Sequence, residues 1–320
     1  MVGENGAGKT NLLEALHVGT QGFSPRTRAE SQLIRFGETG ASLSLQVLKE
    51  DVRHRVRITM PAGTAKVAEL DGARLPSAEA LRRELSALVF TPDRLAVVKA
   101  GPAARRAYFD RVLARLRPAR AGLPQDYAAA LAQRNAALRR VQLGLSARAA
   151  LEPWTEQVAA IGAELVAERR ETLARLEPRF AERAAELGLA GGTLAYDGDA
   201  PTLDALRARL DADVVRGSTG LGPHLDDIRI AAGGRDLRSF GSQGEQRLAL
   251  LALLLGEAEL LRPEPLLLLD DVLSELDGRR RSALAERIAS MGQTVVTATQ
   301  RSALPIEPAQ VVEVTPGQAV

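Results

Sequence analysis

Cysteine is absent from the 320 residues, so neither disulfides nor thiolate metal sites can form, and a reducing compartment fits. The three histidines, His17, His54 and His224, are scattered along the chain, which argues against a zinc site. Aromatic residues make up only 3%, too few for a platform on which bases could stack. Long apolar runs are missing as well. The longest, around Leu248–Leu255, is interrupted by Gly256 and Glu257, so no membrane span or membrane partner is expected. Met1-Val2 runs straight into a glycine-rich loop, from which no signal peptide and a cytoplasmic location are expected. Lysine is scarce: of 42 basic residues only Lys9, Lys49, Lys66 and Lys99 are lysines. Arginine grips phosphates through two parallel hydrogen bonds, which suits a nucleic-acid partner, although a general bias towards Ala, Arg, Leu and Gly accounts for the same composition. The net charge of +2 is too small to announce a polyanion partner by itself.

What remains is an ordinary globular balance, 45% hydrophobic and 26% charged, in a chain long enough for one large domain with an insertion. Ala41–Val47 and Arg53–Met60 alternate polar and apolar residues and predict antiparallel strands. Val67–Leu70 predicts another, entering a turn at Asp71-Gly72, and Leu85–Thr91 a short buried strand ended by Pro92. From about Pro102 the spacing becomes helical over Tyr108–Leu116, Asp126–Leu143 and Glu152–Leu187. Gly144-Leu145-Ser146 and Pro153 turn the last two into an antiparallel arm of about 25–35 residues, reaching about 40–50 Å. Gly191-Gly192 and Asp197-Gly198 punctuate its end, and a short helix is expected over Thr202–Leu210. Strand signals return at Asp227–Ala231, Leu266–Asp270 and Thr294–Ala298, with a helix over Gly244–Leu261. The expected organisation is an α/β head, residues 1–100 and 215–320, with a helical arm lobe, 101–214, inserted between its halves.

Gly3-Glu4-Asn5-Gly6-Ala7-Gly8-Lys9-Thr10 fits the phosphate-loop pattern G-x-x-x-x-G-K-[ST] in full. Its glycines let backbone N–H groups turn inward on phosphate oxygens, and the helix opening at Asn11 adds its dipole. Lys9 is expected along the β- and γ-phosphates, and the Thr10 hydroxyl on Mg²⁺. Only Met1-Val2 precede this loop, which ordinarily follows a buried strand; a first strand is expected to be lacking and a sheet edge unpaired. The metal's carboxylate is expected where Leu266–Leu269 ends in Asp270-Asp271: an unbroken apolar run suits a central parallel strand. Asp270 would hold Mg²⁺, and Asp271 would orient or deprotonate the attacking water. Ser242-Gln243-Gly244-Glu245 opens a helix and admits two readings, an anion site for nucleotide held by another copy or a plain capping box. Ser274-Glu275-Leu276-Asp277 likewise reads as a further motif or as a helix cap.

In this order the four segments resemble the Walker A, signature, Walker B and D-loop elements of ABC-type ATPases. More closely, the chain resembles the RecF family, bacterial recombinational-repair ATPases related to the SMC proteins. The resemblance rests on Gly3–Ala15, Val89–Val98, Gly101–Asp110, Thr219–Asp227, Ser242–Arg247 and Leu268–Asp277, blocks that span almost the whole chain. It implies an ABC-type P-loop head of mixed sheet and helices, with an antiparallel β subdomain and a helical arm. It implies two ATP molecules sandwiched in a homodimer, each held by Gly3–Asn11 and Asp270 of one copy and by Ser242, Gly244 and Glu245 of the other. It also implies double-stranded and gapped DNA as a largely sequence-independent ligand, RecR and RecO as partners, and service in recombinase loading, fork maintenance and the SOS response. Several departures imply slow hydrolysis. Asp271 stands where glutamate is usual, no glutamine falls near Pro92-Asp93, and the strand after the D-loop has no histidine for the γ-phosphate, a place that Thr297 or Thr299 could take. A transporter ATPase would ordinarily show both missing residues and has no need of the arm; an SMC-like structural protein would need far longer arms. The segment containing His224 is a family hallmark, and packing or ligand contact are both open to it.

Overall fold

A computed structural model of the chain describes residues 1–27, 29–49, 51–274 and 276–320. Its packing forms two compact units, Met1–Arg94 with Leu261–Val320, and Leu95–Leu260.

At the centre of the first unit, three parallel strands run in the order Thr294–Val296, Leu266–Leu269, Ala87–Phe90. Four consecutive leucines can occupy the middle strand because both of its faces are covered. Leu268 is fully buried against Val89 and against Leu13 of the helix Lys9–Gln21, so the apolar side of that helix seats it on the sheet. Beside the sheet's end, Val2 makes isolated parallel bridges to Ala298 and to Glu313. The edge expected to be bare is therefore met there by Met1 and Val2, whose backbone bonds to Ala298, Val312 and Val314.

Antiparallel pairing in this unit builds a separate four-stranded meander, Gly40–Lys49, Val52–Pro61, Val67–Leu70 and Ala73–Arg74. Its alternating apolar residues Val56, Ile58 and Met60 point into one core. The helix Lys9–Gln21 reaches this sheet through Gly19, where a Cβ would stand 2.1 Å from Leu45 Cδ1. Asp71-Gly72 makes the expected tight turn, both residues at positive φ.

In the second unit the helices Leu123–Gln142 and Glu152–Glu186 pack together as the expected arm. Tyr127, Ala130, Arg134 and Leu138 recur at helical spacing on the buried side of the first. The second has 35 residues, a length of about 52 Å, and contains Pro178. Its later turns, through Leu176, Phe180 and Ala184, are buried, and the helix Gln243–Leu260 packs against it. The approach is close at Gly256, where a Cβ would lie 3.1 Å from the Phe180 backbone nitrogen. That contact explains why the packing divides the chain at 94/95 and 260/261, while the sequence reading divides it at 100/101 and 214/215.

Several short elements were not foreseen, among them two in the second unit. Thr193–Asp197, bracketed by turn residues, pairs with Asp227–Ala232 in a three-stranded antiparallel sheet completed by Arg235–Asp236. A second short helix, Leu210–Arg216, follows Leu203–Ala208, whose Thr202 caps it by accepting from the Ala205 N–H.

Candidate functional site

The loop from Gly3 to Gly8 is shaped by its glycines. Gly6 and Gly8 sit at φ 84° and 106°, a region costly for residues with a Cβ. Gly3 is required for a different reason: a Cβ there would meet the Val314 carbonyl oxygen at 2.2 Å. Among the described residues no side chain caps the helix that follows Gly8, which leaves its first N–H groups to serve an anion. Lys9 folds back over the loop and donates from Nζ to the carbonyl oxygens of Gly3 (2.7 Å) and Glu4 (2.9 Å). Glu4, Asn5, Gly6 and Asn11 are exposed around it, while Ala7 is buried beneath.

Thr10 turns from this loop to the end of the central strand. Its hydroxyl donates to both carboxylate oxygens of Asp270, at 3.1 and 3.0 Å, across 260 positions of sequence. Asp270 is only 6% exposed, and a second hydroxyl, Thr297 Oγ1, donates to its Oδ1 at 2.8 Å. Among the described residues it makes no ion pair. Two oxygen donors without a third acid suit Mg²⁺, which keeps much of its water and takes phosphate oxygens; no cluster of three acids or histidines is found among the described residues. Asp271 is exposed and adopts φ 48°, unusual outside glycine. Its N–H donates to Thr297 Oγ1 at 2.9 Å, and its carbonyl accepts from Ser274 Oγ at 3.1 Å.

Ser242, Gly244 and Glu245 lie in the second unit. There the reciprocal capping box is made: the Glu245 N–H donates to Ser242 Oγ at 3.2 Å, and the Ser242 N–H to Glu245 Oε2 at 2.8 Å. Ser242 and Gly244 are exposed at the start of an 18-residue helix, so capping leaves this surface accessible. Asp277 is a helix cap too, accepting from the Arg280 N–H at 2.9 Å; Glu275, between it and Ser274, lies outside the described residues.

Residues 1–319 match the RecF/RecN/SMC N-terminal domain family. Proteins named "DNA replication and repair protein RecF" from Halothermothrix orenii and Myxococcus xanthus are 34% and 37% identical to this chain. The alignments cover 93% and 95% of it, and 85% and 84% of those relatives. The chain belongs to the RecF family. A solved structure titled as the recombination mediator protein RecF with ATP in the RecFOR pathway superposes with a TM-score of 0.85 at 27% identity, covering 100% of this chain and 90% of the other. An Smc head domain from Pyrococcus furiosus shares the fold at TM-score 0.60 and 18% identity, covering 100% and 88%.

Two of the blocks that carried the RecF resemblance, Gly101–Asp110 and Thr219–Asp227, meet inside the second unit. Arg105 grips Asp227 with two bonds of 2.7 and 2.6 Å, and Arg106 donates to the Asp226 carbonyl oxygen at 2.6 Å. Arg169 binds both oxygens of Asp110 and the Pro223 carbonyl oxygen. His224 is locked in the same way. Its Nε2 faces the Thr219 carbonyl oxygen at 3.1 Å and must carry the proton, so Nδ1 accepts from the Tyr127 hydroxyl at 2.8 Å. Burial holds the His224 pKa below its ordinary value, which keeps the ring neutral. Both ring nitrogens are thus used inside the protein, and of its two readings packing is the one the geometry meets.

Sequence reasoning named Thr297 only as a stand-in for the absent histidine. The structure shows instead a buried hydroxyl shared between the two acids, whereas Thr299 is exposed.

Proposed function

We propose that this chain is an ATP-dependent DNA-binding protein of recombinational repair and replication-fork maintenance, acting in the cytoplasm. The observation that carries the reading is the pair of bonds from Thr10, which follows Lys9 in the phosphate loop, to the Asp270 carboxylate. N–H groups of the loop and of the first turn of its helix, among them Gly8 and Lys9, would cradle the phosphates of ATP, and Lys9 Nζ would exchange its two carbonyl partners for phosphate oxygens. Mg²⁺, held by Thr10 and Asp270, would offset phosphate charge. Asp271 would take the proton of the water that attacks the γ-phosphorus, the β–γ bridging bond breaking to give ADP and phosphate. Ser242, Gly244 and Glu245 would serve nucleotide bound to a second copy, so that ATP closes a homodimer on DNA and slow hydrolysis releases it. RecO and RecR are the partners this reading calls for.

DNA would be gripped through its phosphates. Arg209 and Arg216 are exposed, make no ion pair among the described residues, and bring guanidinium nitrogens within 3.0 Å of where a Cβ on Gly220 would stand. Such paired cations suit a phosphodiester backbone.

Nucleotide titration with a fluorescent ATP analogue tests the first part. Lys9→Met should abolish Mg²⁺-dependent binding, and unchanged affinity would refute the site. For DNA, log affinity should fall linearly with log salt, and Arg209→Ala with Arg216→Ala should flatten the slope by about 2. An unchanged slope would clear these two arginines of any contact.

A further inference from the structure

We infer that Thr297 is the positioning residue for both acids at the end of the central strand, holding Asp270 ready as a metal ligand and fixing the turn that presents Asp271. This deepens the nucleotide reading above and rests on it.

Thr297 follows the strand Thr294–Val296 and is 1% exposed. Its backbone N–H donates to the Leu269 carbonyl oxygen at 3.0 Å, so the sheet itself fixes its place one step before the acids. A hydroxyl has one proton and two lone pairs. Here the proton goes to Asp270 Oδ1 at 2.8 Å, and a lone pair accepts the Asp271 N–H at 2.9 Å. Both bonds point along the protein, which is not how a side chain that reads the terminal phosphate would spend them.

Each bond has a separate consequence. Among the described residues Asp270 Oδ2 receives only the Thr10 hydroxyl, the other member of the metal pair, while Oδ1 is shared with Thr297. When the Thr10 oxygen turns to a cation, Thr297 is the contact that still orients the carboxylate. Groups of this kind behind a metal ligand are worth about 10–100-fold in metal affinity or activity. The second bond ties down Asp271 in the left-handed region, a backbone conformation that residues with a Cβ seldom adopt. Without an acceptor for its N–H, that turn has less to hold it, and the exposed carboxylate loses its fixed base.

The test compares the full chain with Thr297→Val, which keeps the shape and removes both bonds, and Thr297→Ser, which keeps both bonds and drops a methyl. Thr297→Ala is a second hydroxyl-free variant should the valine form fold poorly, as melting curves would show. Affinity for a fluorescent ATP analogue is measured in EDTA and across a Mg²⁺ titration, alongside kcat. In EDTA all forms should bind alike. The valine or alanine form should need about 10-fold more Mg²⁺ or more, and its kcat should drop by about 10–100-fold. Serine should restore both to within about 3-fold.

A merely structural role would lower the melting temperature and leave the Mg²⁺ requirement of the folded protein where it was. Wild-type Mg²⁺ dependence and turnover in the hydroxyl-free forms would overturn the inference. So would an equal loss in the serine form, since packing would then be the cause. A different failure, no Mg²⁺-sensitive nucleotide binding by the unaltered chain, would overturn the nucleotide reading itself.

Discussion

Asp270 and Asp213 are both nearly inaccessible carboxylates, 6% and 1% exposed, yet they are built for opposite purposes. Asp213 lies in the second unit and faces Arg134, fully buried, at 2.8 Å, with the Gly220 N–H on its other oxygen. Arg134 in turn donates to Thr219 and Thr155, and Thr219 to Asn135. Opposite charges meet within this network, although Arg134 Nη2 is buried without a hydrogen-bond partner among the described residues. Asp270 has hydroxyls for company, Thr10 and Thr297, while Lys9 bonds to backbone carbonyls of its own loop. Among the described residues Asp270 accepts from neutral hydroxyls and makes no ion pair. Burying polar residues thus yields a scaffold or a site, according to whether the charges close on themselves.

The contrast is sharpest in a pair of substitutions read by urea denaturation. Asp213→Ala strands a buried guanidinium and should cost about 3–5 kcal/mol. Asp270→Asn alters a carboxylate that makes no ion pair among the described residues, so stability should hold or rise while the Mg²⁺ response disappears. Equal destabilisation by both would erase the distinction. Next in size is Asp271→Asn, which keeps the shape and removes the base. Single-turnover rates should fall about 100-fold or more, with nucleotide affinity preserved.

Ser242→Ala probes a residue that could belong to either class. Loss of the cap alone should cost about 0.5–2 kcal/mol in thermal melts, with ATP-induced dimerisation surviving at low temperature. If sedimentation shows the dimer gone in protein that is still folded, the exposed hydroxyl acts on a second copy. The smallest effect concerns His224. Its folded pKa lies below the unfolded value, so the unfolded chain binds the proton first as pH falls through about 6.5. Its contribution is therefore intact above that pH and is lost as pH drops towards the folded pKa. Stability measured from pH 7.5 to 5 should fall less steeply in His224→Gln than in the unaltered chain. Parallel curves would mean the ring does not titrate differently in the two states.

The phosphate loop, the paired acids and the arm were legible because each follows a local rule. Glycines mark backbone curvature, four leucines mark a central strand, and helical spacing of Leu131, Leu138 and Leu145 marks the first arm helix, although the side it buries is Tyr127, Ala130, Arg134 and Leu138 and Leu145 is exposed. The turns at Asp71-Gly72 and Asp277 were readable for the same reason. Two kinds of feature escaped. Thr193–Asp197 is a five-residue strand between turn residues, and its partner lies some thirty positions on, so only tertiary pairing selects it. The bond between Thr297 and Asp270 and the salt bridge between Arg134 and Asp213 join residues that share no period or motif. An arginine at a buried helical position reads as an error in the pattern until its carboxylate is seen.

Pro178 gives the long helix Glu152–Glu186 a mechanical weak point. Proline has no N–H, so the rung to the Ala174 carbonyl is missing, and a loaded rod yields where a rung is gone. From Glu152 to Pro178 the helix extends about 39 Å, so a bend of about 10° at that place would swing its far end through about 7 Å. Just beyond the proline, Phe180 lies against Gly256 of the helix that Ser242 caps. A small tilt on one side of this fulcrum would be delivered, magnified, as travel at the tip of the arm.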